Sequence, residues 1–148
     1  MKRLYLAYGS NLNLGQMAKR CPTAKVVGTS LLWDRRLLFR GPRELAVATV
    51  EPCEGIDVPV LLWELQRQDE AALDRYEGYP NFYRKEDAQV DIDGERITAM
   101  VYVMNEGHPL GQPGPNYYAT IFNGYLAAGF DVEFLRQAAE DSGGEIPW

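Results

Sequence analysis

Asp93-Gly94 separates two runs of equal length, Tyr83–Ile92 and Glu95–Met104. An Asp-Gly pair supplies the positive φ angles that a two-residue hairpin turn demands, so these runs must pair antiparallel. That pairing already excludes a purely parallel, doubly wound sheet, and the rest of the chain does not alternate strand and helix as such a sheet requires. Residues 4–7 form a short apolar strand. Asn13 is placed to cap a helix running to about Arg20, which Cys21-Pro22 ends. Strands are expected at 26–33, 35–39, 45–50 and 58–65, with Gly41-Pro42 as a turn and the acidic stretch 51–57 as a surface loop. A helix over 69–76 has acids at its start and Gly78 past its end. Residues 105–115 are a Gly/Pro-rich loop, 116–128 a helix, and Asp131 caps a last helix to about Glu140. Residues 142–148 read as a tail. The expected fold is α+β: one domain over 1–148, with a mixed, strongly curved, barrel-like sheet and flanking helices.

The chain has 148 residues, enough to bury a core without staples. Its formal net charge of −6 argues against a nucleic-acid partner. Arg35, Arg36, Arg40 and Arg43 form only a short basic run. Two cysteines, Cys21 and Cys53, lack metal spacing, which fits a reducing, cytoplasmic compartment. No run approaches the roughly 20 apolar residues that span a bilayer, and none resembles a signal peptide. The single histidine, His108, sits between Gly107 and Pro109 in a loop context. That leaves little for a His-based triad or a His-ligated metal.

Three stretches carry possible chemistry. The first is Tyr8-Gly9-Ser10-Asn11-Leu12, between strand and helix. It reads as an ordinary turn or as a loop whose backbone amides serve a ligand, with Gly9 allowing close approach. The second is Glu77, at the C-terminal end of a helix, where the dipole disfavours an anion. Tyr76, Tyr79 and Tyr83 stand nearby. Glu77 is either a solvated surface carboxylate or, if buried, a base with a raised pKa. The third is the stiff entry Gln112-Pro113-Gly114-Pro115-Asn116-Tyr117-Tyr118, whose tyrosines serve a pocket or the core. Trp33 and Trp63, in apolar strands, are expected in the core. Asp74, Arg75 and the run Lys85-Glu86-Asp87 are expected on solvated faces.

Together these stretches resemble the γ-glutamylcyclotransferase-like (AIG2-like) family. The resemblance rests on Leu6-Ala7-Tyr8-Gly9-Ser10-Asn11-Leu12, on Leu73-Asp74 and Glu77-Gly78 followed by Tyr83-Arg84, on the proline-rich entry ending at Tyr117, and on Gly124 with Gly129-Phe130-Asp131. It implies a small mixed α+β barrel with a cavity, and cleavage of γ-glutamyl amides without metal or cofactor. The substrate's own α-amine attacks the γ-carbonyl, giving 5-oxoproline and a released amine or amino acid. Glu77 corresponds to the family's acid/base. Tyr8, Gly9, Ser10, Asn11, Leu12, Tyr83 and Tyr117 fall to substrate binding. The family often has Pro-Ser before its helix tyrosine; Gly114 stands there instead, removing a hydroxyl contact. The alternative is a non-catalytic pocket of the same fold that binds a small amino-acid-like ligand.

Overall fold

A computed structural model of the chain describes residues 3–42 and 45–143. Its elements are β1 (Arg3–Ala7), a 3-10 turn (Ser10–Leu12), α1 (Leu14–Arg20), β2 (Lys25–Arg40), β3 (Val47–Leu65), α2 (Arg67–Glu77), β4 (Tyr83–Ile92), β5 (Glu95–Met104), α3 (Pro115–Ala128) and α4 (Glu133–Asp141). The five strands form one mixed sheet in the order β2-β3-β1-β5-β4. β1 is central, antiparallel to β3 and parallel to β5. Its interior face and neighbours explain the apolar run: Leu6 and Ala7 are fully buried. The β4–β5 hairpin turns at Asp93 and Gly94, both with positive φ, in the register expected from the Asp-Gly signal.

The four strands expected between residues 26 and 65 are in fact two long ones. Residues 26–33 and 35–39 belong to β2, in which Asp34 takes a positive φ of 57° at one of two places where the register with β3 shifts. β3 runs through the stretch read as a surface loop. Trp33 pairs with Asp57 and Arg35 with Pro52, so the expected loop shrinks to a bulge opposite Asp34. The Asp34 carboxylate accepts the Gly55 N–H at 3.0 Å and holds that bulge.

The sheet curls but does not close into a barrel. The edge strands β2 and β4 meet through side chains: the Ser30 hydroxyl donates to the Asp91 carbonyl at 2.6 Å, and Arg35 pairs with Glu86 at 3.2 Å. Trp33, expected in the core, lies at this seam and is 38% exposed, with the Arg96 guanidinium 5.2 Å from its ring centroid. Trp63 is buried as expected. The basic run is spent on ion pairs, Arg36 with Asp141 and Arg40 with Glu51; Arg43 lies outside the described residues.

The helices follow their local signals. Asn13 caps α1 by accepting the Gln16 N–H at 3.0 Å. Asp131 accepts the Glu133 N–H at 3.0 Å before α4. Loop 107–114 is a tied connection: Gly41 N–H donates to Pro109, Gly111 N–H to Phe39 and Ala46 N–H to Gln112. Ser142, where the sequence reading begins a tail, is buried; its hydroxyl accepts the Phe39 N–H at 2.8 Å and donates to Ala138 at 2.7 Å. Residues 144–148 lie outside the described residues.

Candidate functional site

The cavity lies where β1 ends. A central strand of a sheet must release its chain at the sheet's edge, and here the released segment is Tyr8 to Leu12. Ser10–Leu12 tighten into a single 3-10 turn, whose bonds start with Leu12 N–H to Gly9 carbonyl at 3.0 Å. The N–H groups of Ser10 and Asn11 are therefore not used within the turn. α3 packs onto this turn at Gly124, where a Cβ would lie 2.7 Å from Leu12 Cβ and 2.9 Å from Asn13 N. Only glycine permits that approach. Leu12, expected to bind substrate, is fully buried beneath α3 and does not line the cavity.

The opposite wall is the end of α2. Gly78 adopts the left-handed conformation, φ 69°, and its N–H turns back to the helix carbonyls. Glu77 is thus the last helical residue, and its carboxylate enters the cavity. Tyr5, Tyr8, Gly9, Ser10, Asn11, Ala48, Tyr83, Tyr102 and Tyr117 complete the lining. Of the residues expected from sequence, Tyr8, Gly9, Ser10, Asn11, Glu77, Tyr83 and Tyr117 are brought together here; Tyr76 and Tyr79 stay largely exposed. Tyr5 and Tyr102 escaped the sequence reading. Their only signal is a phenol set within the apolar runs of β1 and β5.

Most of the phenols are anchored. Tyr8 donates to the Tyr102 carbonyl at 2.7 Å, and Tyr83 to the Ala48 carbonyl at 2.6 Å. Tyr117 accepts the Ala48 N–H at 2.9 Å. Asn11 donates to the Tyr5 hydroxyl at 2.9 Å, and the Ser10 hydroxyl bonds that of Tyr76 at 3.1 Å. The side chains of Ser10 and Asn11 are therefore engaged with the protein, while among the described residues no partner is seen for their backbone N–H groups. The lining encloses about 20 Å³, room for about one water.

Among the described residues, no hydrogen bond or ion pair reaches the Glu77 carboxylate. Burial raises its pKa to about 7, against the lowering effect of the Arg20 cation. The same burial, with Glu77's charge as a further cause, holds Tyr5, Tyr8 and Tyr83 above the ordinary phenol range. Glu77 is thus a carboxylate whose proton affinity lies near neutral pH, in a cage of neutral phenols.

Of the residues expected on solvated faces, Arg75 and Asp87 are exposed, whereas Asp74 and Lys85 support this site. Lys85 lies between Glu70 at 2.6 Å and Asp74 at 2.9 Å. The Tyr102 hydroxyl donates to Asp74 at 2.5 Å. One turn before Glu77, α2 is thereby tied to β4 and β5. His108 lies outside the cavity, edge-on to Phe82 at 4.9 Å between ring centroids.

Comparison with known proteins gives the same direction. Residues 5–119 match the family described as "Gamma-glutamyl cyclotransferase, AIG2-like". The chain is 27% identical over 143 residues to bovine (Bos taurus) γ-glutamylcyclotransferase, covering 90% of this chain and 76% of that protein. The human (Homo sapiens) γ-glutamylcyclotransferase is similar at the same identity and coverage. A solved structure of a γ-glutamyl cyclotransferase superposes with a TM-score of 0.80 at 26% identity, covering 93% of this chain and 86% of that one. With the match extending over most of its length, this chain belongs to the γ-glutamyl cyclotransferase, AIG2-like family.

Proposed function

We propose that this protein is a γ-glutamyl cyclotransferase that works without a cofactor and uses Glu77 as its acid/base. The observation that carries the reading is a half-buried carboxylate, poised near neutral pH, facing a turn with unused backbone amides across one small cavity. The substrate's α-amine arrives as an ammonium. Glu77 takes its proton, the freed amine attacks the γ-carbonyl, and a five-membered ring closes. The C–N bond to the leaving group then breaks as Glu77 returns the proton to the departing nitrogen; the ring nitrogen sheds its second proton, which the freed amine takes up as it becomes an ammonium. The products are 5-oxoproline and the released amine or amino acid.

Because the nucleophile is part of the substrate, the protein's task is to fold it into a near-attack shape. The carbonyl oxygen gains charge as the ring closes. Backbone amides at Gly9 to Asn11 are the donors this geometry offers to it or to the substrate carboxylate. Such a donor typically contributes about 2.7–4 kcal/mol to the barrier. Tyr8, Tyr83 and Tyr117 form walls that stay neutral beside the reacting groups. The test is incubation of purified protein with γ-glutamyl dipeptides and γ-glutamylamines, scored for 5-oxoproline by mass spectrometry. Turnover of at least one class is expected. Compounds that bind and remain unchanged after long incubation contradict catalysis and favour a binding role.

A further inference from the structure

Arg20 does not line the cavity, yet two walls of the site, the 3-10 turn and the end of α2, converge on it. It ends α1, and its guanidinium is forked between two side-chain oxygens. Nη1 donates to the Asn11 Oδ1 of the 3-10 turn, and Nη2 to Gln16 Oε1 at 2.7 Å. Its flat face lies 3.6 Å from the centroid of the Tyr76 ring, the residue before Glu77. Asn11 passes the grip on to Tyr5, and Tyr76 passes it on to Ser10. A planar, always charged group with two parallel donors and a stacking face suits this position; a lysine ammonium lacks both the fork and the plane.

We infer that Arg20 is a positioning residue for Glu77: it clamps the 3-10 turn to the end of α2 through Asn11 and Tyr76, and its charge acts on the carboxylate without touching it. The inference rests on the reading of Glu77 as the acid/base. The groups that face Glu77 are Tyr5 from β1, Tyr8 just after it, Tyr83 from β4, Tyr102 from β5, Tyr117 from α3 and Arg20 from α1. The phenols are held neutral, which leaves Arg20 as the charge in this set. Its cation favours the ionised carboxylate and so opposes the effect of burial. Without it, Glu77 would hold its proton to higher pH and supply less base at neutrality.

Two substitutions separate the clamp from the charge. Arg20→Lys keeps the charge and loses the fork and the stack. Arg20→Met loses all three. The Glu77 carboxyl is followed by NMR of protein labelled with 13C in its glutamates, and kcat/KM is followed against pH by 5-oxoproline release. In Arg20→Met the Glu77 titration is expected to move up by about one pH unit, with the acidic limb of kcat/KM moving alongside. In Arg20→Lys the titration is expected to stay close to wild type while kcat/KM falls on the order of 10-fold at all pH values, since the loop and Glu77 are no longer held in register. An unmoved titration in Arg20→Met, or wild-type kcat/KM in Arg20→Lys, overturns the inference. Should Arg20→Met fail to fold, Arg20→Gln keeps an amide donor for Asn11, removes the charge and reads the same shift. If no γ-glutamyl compound is turned over, the enzyme reading fails, and the titration still decides whether Arg20 acts on Glu77.

Discussion

Asp74 and Glu77 stand three residues apart on α2, and the structure treats them in opposite ways. Asp74 is saturated, with the Lys85 ammonium at 2.9 Å and the Tyr102 hydroxyl at 2.5 Å. Glu77 faces phenols whose own hydrogen bonds go elsewhere, and burial lifts its pKa to about 7. A carboxylate that holds a structure is matched by a cation and a hydrogen-bond donor. One meant to move a proton near neutral pH is kept from such partners. The same helix thus carries an anchor and, one turn later, the carboxylate that we propose as the base.

Exchanging the two roles by mutation is the most direct way to break this comparison. Glu77→Gln keeps the volume and removes the base; 5-oxoproline release is expected to fall by about 10²–10⁴-fold with the fold retained by circular dichroism. Asp74→Asn should do the reverse. It leaves Lys85 with Glu70 alone and weakens a charged hydrogen bond to Tyr102, costing about 1–3 kcal/mol of stability in denaturant titration with a smaller loss of turnover. Comparable losses of turnover in both variants would erase the distinction.

The loop wall is tested next. Gly124→Ala pushes a methyl group into Leu12 and Asn13, so the 3-10 turn must shift. A loss of about 1–3 kcal/mol in thermal or chemical stability is expected, together with reduced kcat/KM. Ser10→Ala removes only the hydroxyl bond to Tyr76, and its effect on kcat should be the smallest of the set. Ser10→Pro removes the backbone N–H itself and should cost far more. Equal effects from alanine and proline at Ser10 would count against a backbone donor.

Stability should also carry the sign of Glu77's raised pKa. The folded state holds this proton to about pH 7, whereas an unfolded glutamate releases it near pH 4.5. Between those values the folded state binds more protons, so the Glu77 contribution becomes less favourable as pH rises and is fully unfavourable above about 7. Glu77→Gln removes that cost. The variant is expected to gain on the order of 2–3 kcal/mol over wild type at pH 8 and to lose this advantage by pH 4.

The parts of this arrangement legible in sequence were those set by local chemistry. Asp93-Gly94, Gly78 and Asn13 each fix a backbone conformation over a few residues, and each acted where it was expected. The continuous β3 was not legible because Pro52, Cys53, Glu54 and Gly55 lie in an exposed part of the strand, where polarity imitates a loop. Trp33 looked like core because its neighbours are apolar, but a curled sheet puts that stretch at an open seam. Glu77 was identifiable through its place in a motif with Tyr83 nearby, while its proton affinity depends also on four phenols distant in sequence, Tyr5, Tyr8, Tyr102 and Tyr117. Arg20 gave no signal at all. Its role exists only once α1 has folded back to set residue 20 beside Asn11 and Tyr76.

The central claim is that Glu77, tuned to about neutral pH, moves the proton that permits ring closure. The pH dependence of kcat/KM for 5-oxoproline release tests it most directly. The account predicts an acidic limb with an apparent pKa near 7 that coincides with the Glu77 carboxyl titration measured by NMR in the same protein. A flat profile from pH 5 to 8, or a Glu77 titration near the ordinary glutamate value of about 4.3 with activity intact, would contradict it.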